Sequence, residues 1–155
     1  MPALAVLFLL QVLSSPPTAE PDRDCFVREN TNGVRVMRYI GDRACVDFGP
    51  VRTIEGIWVN AFEGSSFHEG AGTLDDVRGR PHTTWLTFDD DSVKPPGLRP
   101  TQHPPHAHRL TFVGRTAKDM QRKPLEGYGH FGMSPGLVLV DRVTEWRDLG
   151  PIETK

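Results

Sequence analysis

With 155 residues, 37% of them hydrophobic, the chain is long enough for one domain with a modest core. Fifteen glycines and fourteen prolines make up nearly a fifth of it, a composition that interrupts helices and favours short strands joined by turns. Acidic residues (20) slightly outnumber basic ones (18), so the chain lacks the basic surplus that nucleic acids and anionic membrane surfaces attract.

The first element is "ALAVLFLLQVL" at 3–13, an apolar run of signal-peptide length and too short to span a bilayer. Small residues follow in "SSPPTAEP", with Ala19 or Ser14 as the last residue of the leader, although no basic residue precedes the run. The alternatives are a buried N-terminal helix or a membrane anchor. We therefore expect a signal peptide over 1–19, an N-terminal arm and strand over 20–50, a β-barrel domain over 51–148 and a tail over 149–155. Such a protein is periplasmic or secreted. The two cysteines, Cys25 and Cys45, then read as one structural disulfide closing a loop of about twenty residues, worth roughly 3 kcal/mol.

Polar "EPDRDCFVRENTNG" (20–33) is expected to be an arm pinned by Cys25, "VRVMRYI" (34–40) a strand, and the residues around Cys45 a second short strand. "RTIEGIWVNAF" (52–62) is the longest strand candidate. Its alternation sets Ile57, Val59 and Ala61 on one face against Trp58, Asn60 and Phe62 on the other, with Gly56 marking a bend. Glu63 ends it, beside "GSS", where a carboxylate can cap a turn or meet His130 from another loop. "TLDDVRGR" (73–80) suits one or two helical turns capped by Thr73.

"TTWLTFDD" (83–90) alternates Thr84, Leu86 and Phe88 against Trp85 and Thr87, as a strand does. The acidic "DDDS" after it lacks the glycine and distant glutamate of a calcium loop and reads as a solvated turn. Proline-rich "DSVKPPGLRPTQHPPHAH" (91–108) is expected to be an extended loop. It holds His103, His106 and His108, which offer imidazoles to Zn²⁺ or Cu²⁺; the plainer reading is a solvated linker. "RLTFVGRT" (109–116) and "GLVLVDRVTEW" (136–146) are strands, the first with Leu110 and Phe112 on one side.

Between them, "EGYGHFGMSP" (126–135) holds three glycines that permit tight turning. Either Tyr128 and Phe131 fold back as a packed plug, or Tyr128 stacks on a ligand while His130 exchanges a proton. These elements predict an all-β chain: a small antiparallel OB-like barrel of five to six strands, with a β-sandwich as the alternative.

"IWVNAFEGSSF" (57–67), then "WLTF", "LTFVGRT" and "GYGHFGMSPGLVLVDRV", resemble small exported proteins of Gram-negative bacteria of unknown function. The resemblance spans 51–146 and rests on Phe62, Glu63, Ser65 or Ser66, Phe67, Tyr128, Gly129, His130 and Gly132. It implies an OB-like fold and no catalytic residue or cofactor. Many such proteins are lipid-anchored, and no cysteine directly follows the apolar run here.

The functional expectation is a non-enzymatic binding or structural module of the cell envelope, whose partner is another envelope protein or a small ligand. Glu63, Ser66, Tyr128 and His130 are its candidate ligand-binding residues. The alternatives are a metal-binding protein using the histidine loop, and a hydrolase built around Glu63, Ser66 and His130. "EGSSF" lacks the flanking glycines of a nucleophile elbow.

Overall fold

The structure is a computed structural model that describes residues 25–99 and 105–152. The expected signal peptide at 1–19 and His103 lie outside the described residues. In chain order the elements are β1 (Phe26–Thr31), β2 (Val34–Tyr39), helix α1 (Asp42–Cys45), β3 (Arg52–Ala61), β4 (Gly64–Glu69), β5 (Thr84–Val93), β6 (His106–Thr116) and β7 (Gly136–Pro151). The chain is thus mostly β, as its composition predicts. No helix among the described residues is long and apolar enough to cross a membrane.

Five strands form a ring in the order β3-β4-β5-β7-β6, and β6 pairs back with β3 to close it. Four of the five pairings are antiparallel. The fifth, β5 with β7, is parallel from Thr84–Gly136 to Phe88–Val140, which corrects the expectation of a purely antiparallel sheet. It follows from connectivity: β6 crosses to the far side of β3, leaving β7 to fill the gap between β5 and β6.

The alternation read from the sequence decides which side chains fill the ring. Ile54 and Trp58 of β3, Phe67 of β4, Leu86 of β5 and Leu110 and Phe112 of β6 pack in one interior cluster. The opposite faces are not left to water. Ile57 and Ala107 are buried with Ala71 outside the ring, beneath the segment that links β4 to β5. Trp85 and Leu137 pack with Tyr128 and Ala117 beneath the loop between β6 and β7. Burial on both faces explains why "GLVLV" at the start of β7 reads as an unbroken apolar run.

Gly56 leaves no room for a side chain. A Cβ there would lie 2.3 Å from the His68 carbonyl oxygen and 2.9 Å from the Phe67 ring, so only glycine allows β3 to press against β4 at that point.

Several boundaries differ from expectation. The 20–33 arm contributes β1, which pairs with β2 through its whole length, because Asn32 and Gly33, both at positive φ, make a two-residue hairpin turn. Around Cys45 there is a helical turn rather than a strand. Arg43 on that turn donates two hydrogen bonds to Asp89 (2.9 and 3.0 Å) and one to Asp141, which Arg115 also contacts. Burial works against the Asp89 charge, yet Arg43 holds its carboxyl below the usual range. "DDDS" is therefore a pinned bulge in β5, where the register shifts between Phe88 and Val93. Residues 73–80 form turns, in which the Asp76 carboxylate accepts from the N–H groups of Gly72 and Thr73. Strand β6 begins at His106, inside the expected loop, and β7 runs to Pro151.

Cys25 and Cys45, on which the expected disulfide rests, come close to one another without reaching disulfide distance. The Cys25 sulfur lies 3.9 Å from the Cys45 carbonyl oxygen, so the two are near neighbours.

Candidate functional site

The loop between β6 and β7 folds back on itself through its own backbone. Leu125 and Gly127 both donate N–H to the Gly132 carbonyl (2.9 and 3.0 Å), and Tyr128 and Ser134 exchange a pair of bonds (2.7 and 3.0 Å). Tyr128 is buried, and its hydroxyl donates to the Asp119 carbonyl at 3.0 Å; burial raises the phenol above its usual pKa. The Arg122 guanidinium covers its ring, 4.4 Å from the centroid. Gly129, at φ 70°, lies so close to the Trp85 indole that a Cβ would sit 2.2 Å from it. Tyr128 and Gly129 are thus the packed plug, and Tyr128 has no face left for stacking on a ligand.

The next residues turn outward. A short 3-10 turn, His130–Gly132, carries Phe131 at φ 52° with its side chain 75% exposed. The His130 and Phe131 rings meet edge to face, with centroids 3.9 Å apart. His130 reaches the β3–β4 turn, where its Nε2 lies 3.5 Å from Glu63 Oε2. That is ion-pairing distance for a protonated imidazole and too long for a good hydrogen bond; Nε2 is otherwise buried without a partner among the described residues. Glu63 itself stands at φ 56°. Glu63, Leu125 and Phe131 are three of the four non-glycine residues at positive φ among those described. Such strain costs on the order of 1–3 kcal/mol per residue and gathers where geometry serves a purpose.

Ser66 is not part of this group. Strand alternation sends Phe67 into the ring and turns Ser66 and His68 outward. Ser66 Oγ meets His82 Nδ1 at 2.8 Å, and the His82 ring lies edge to face with His68, centroids 6.1 Å apart. His68 is buried and its Nε2 has no hydrogen-bond partner. Burial first, then the neighbouring His82 and Arg80, push its pKa down. Ser65, which points inward, accepts from the Trp58 indole N–H (2.8 Å) and donates to the Leu86 carbonyl (2.6 Å).

His106 and His108 stack on one side of β6, 6.0 Å apart. His106 Nδ1 is bound by Asp148 at 3.1 Å. His108 is fully buried between Trp58 and Trp146, at 5.2 and 5.9 Å, with neither ring nitrogen hydrogen-bonded. Burial lowers its pKa, against the opposing pull of Asp148. Among the described residues no group of three or more His, Cys, Asp or Glu is arranged to hold a metal ion.

The structure therefore brings Glu63 to His130, pairs Ser66 with His82 instead, and buries Tyr128. His68, His82 and Asp148 were not singled out by sequence reasoning. Nothing local marks His82, because its partner Ser66 sits on another element and only the folded ring brings them together. Comparison with protein-family models, with curated proteins and with solved structures finds no match.

Proposed function

We propose that this chain is an exported, non-enzymatic binding module on an OB-like barrel, taking its ligand where the β3–β4 turn meets the 117–135 loop. The ring order supports the OB-like reading: numbered from β3, it runs 1-2-3-5-4 and back to 1, with a glycine inside the first strand. In barrels of that type the loops joining strands 1–2 and 4–5 bind ligands; here those are the turn at Glu63 and the loop carrying His130.

The observation that carries the proposal is the approach of Glu63 to His130 beside an exposed, conformationally strained Phe131. A flat apolar ring next to a carboxylate and an imidazole suits a ligand with both an apolar face and hydrogen-bonding groups, such as a saccharide. Titrating envelope saccharide fragments while recording amide spectra tests it. Shifts confined to 62–64 and 129–133, and abolished in Phe131→Ala, are expected; no shift with any fragment rejects the site.

Export predicts a mature N-terminus near residue 15 or 20 by mass spectrometry. The 3.9 Å approach of Cys25 to Cys45 supports their pairing once oxidised, which thiol labelling of the exported protein checks. The hydrolase reading retains one observation, the Ser66–His82 contact. Among the described residues no carboxylate pairs with His82, and a fluorophosphonate that fails to label Ser66 excludes that reading.

A further inference from the structure

We propose that His68 and His82 form a two-histidine site for a divalent transition-metal cation such as Zn²⁺, independent of the ligand patch at Glu63 and His130, with Ser66 orienting His82. Three observations converge on it. His68 is buried, and its Nε2 is left without a hydrogen-bond partner. A buried ring nitrogen in that condition is costly unless something outside the polypeptide satisfies it. His82 is the ring that faces it, 6.1 Å away and at 65°. With metal–nitrogen bonds of about 2.0–2.1 Å, two imidazoles sharing one cation place their centroids roughly 5–6 Å apart, so a small movement of the exposed His82 completes the geometry.

Ser66 supplies the third observation. Its hydroxyl lies 2.8 Å from His82 Nδ1. When Nδ1–H donates to that oxygen, the lone pair is left on Nε2, the nitrogen free to ligate. This is the outer-shell support that metal-binding histidines ordinarily receive. Arg80 is exposed, so solvent screens its repulsion of a cation. Only two protein ligands are present, so water completes the coordination and the site remains open and exchangeable.

The sequence pattern points elsewhere, to the histidines of "HPPHAH". Those in the structure have other occupations: His106 is held by Asp148, and His108 is walled in by tryptophans. Among the described residues, the ring beside unpartnered His68 is exposed, whereas the ring beside unpartnered His108 is partly buried and already held by Asp148.

The test uses the full mature chain without an affinity tag, titrated with ZnCl₂ and followed by long-range ¹H–¹⁵N spectra of the histidine rings together with calorimetry. The rings of His68 and His82 should shift together as one cation binds. His82→Ala, at an exposed position that does not threaten folding, should weaken that binding at least tenfold, and Ser66→Ala by about tenfold; His106→Ala should leave it unchanged. Zn²⁺ that leaves both rings unmoved, or that binds His82→Ala as tightly as the parent protein, overturns the proposal.

Discussion

Among the described residues two pairs of histidines are in ring contact, and they differ in almost everything else. His106 and His108 are neighbours in sequence, lie inside the ring and rest among Trp58, Trp146 and Asp148. His68 and His82 come from β4 and from the segment ahead of β5 and lie outside the ring, where the two rings face each other and His82 meets Ser66. The pair that is dense in sequence has been absorbed by the core, where tryptophans wall off even the unpartnered nitrogens of His108, and the pair that is scattered in sequence keeps one exposed ring. Local density of ligand residues reports how a segment is composed; the availability of those residues is decided by what the fold packs against them.

The largest test of this contrast is to dismantle the wall on which the inner pair rests. Trp58→Ala removes a fully buried indole that contacts both His108 and Phe88 and leaves Ser65 without its donor. It should cost about 3–5 kcal/mol in urea unfolding. A loss below about 1 kcal/mol would show that the inner pair is not held by its aromatic surroundings.

Acid offers the next test. His108 is buried as a neutral ring, with its pKa lowered by burial despite the Asp148 carboxylate nearby. Below about pH 6.5 the unfolded chain takes up a proton there that the folded protein resists. Its contribution is intact above that pH and is lost progressively as pH falls toward the folded value. His68, lowered for a similar reason, adds to the same trend. Urea midpoints measured from pH 7.5 to 5 should therefore decline, and more gently in His108→Phe, which replaces an unsatisfied polar ring by an apolar one. Equal slopes in the two proteins would remove His108 from the account.

Much of the ring was legible before any coordinates, because strands buried on at least one face write a period of two into the chain. Leu86 and Phe88 against Trp85, and Leu110 with Phe112, fall on the faces their alternation assigns. What was not legible depends on partners distant in sequence. Strand β1 is a polar segment on an isolated hairpin, with no apolar face to announce it. The start of β6 was hidden by the prolines just before it, although those prolines end one residue short of the strand. The parallel pairing of β7 with β5 follows from the route of β6 around the ring, which no local pattern records. The approach of Glu63 to His130 was anticipated from two loops of unusual composition, whereas the partner of Ser66 was not, since "RPHTT" around His82 has nothing to distinguish it.

The Glu63 turn extends the contrast to a smaller energy. A non-glycine residue at φ 56° is strained, so Glu63→Gly should raise stability by up to about 1 kcal/mol while abolishing whatever ligand response the patch shows. A gain in stability paired with a loss of binding would mark the carboxylate as retained for use. A variant that is destabilised would instead mark Glu63 as structural, through its approach to His130.

The smallest expected change belongs to the outer pair. His82 is exposed, and its replacement by alanine removes little packing, but it leaves the buried Ser66 hydroxyl without the partner at 2.8 Å. His82→Ala should therefore cost about 0.5–1 kcal/mol, the ordinary net worth of one hydrogen bond. The double variant Ser66→Ala/His82→Ala should cost no more than the single one, because removing both partners leaves no orphaned group. Additive losses from the two substitutions would mean that Ser66 and His82 act independently. In that case the hydroxyl could not set which nitrogen of His82 faces His68, and only the inner pair would have its ring orientations fixed by a hydrogen-bond partner.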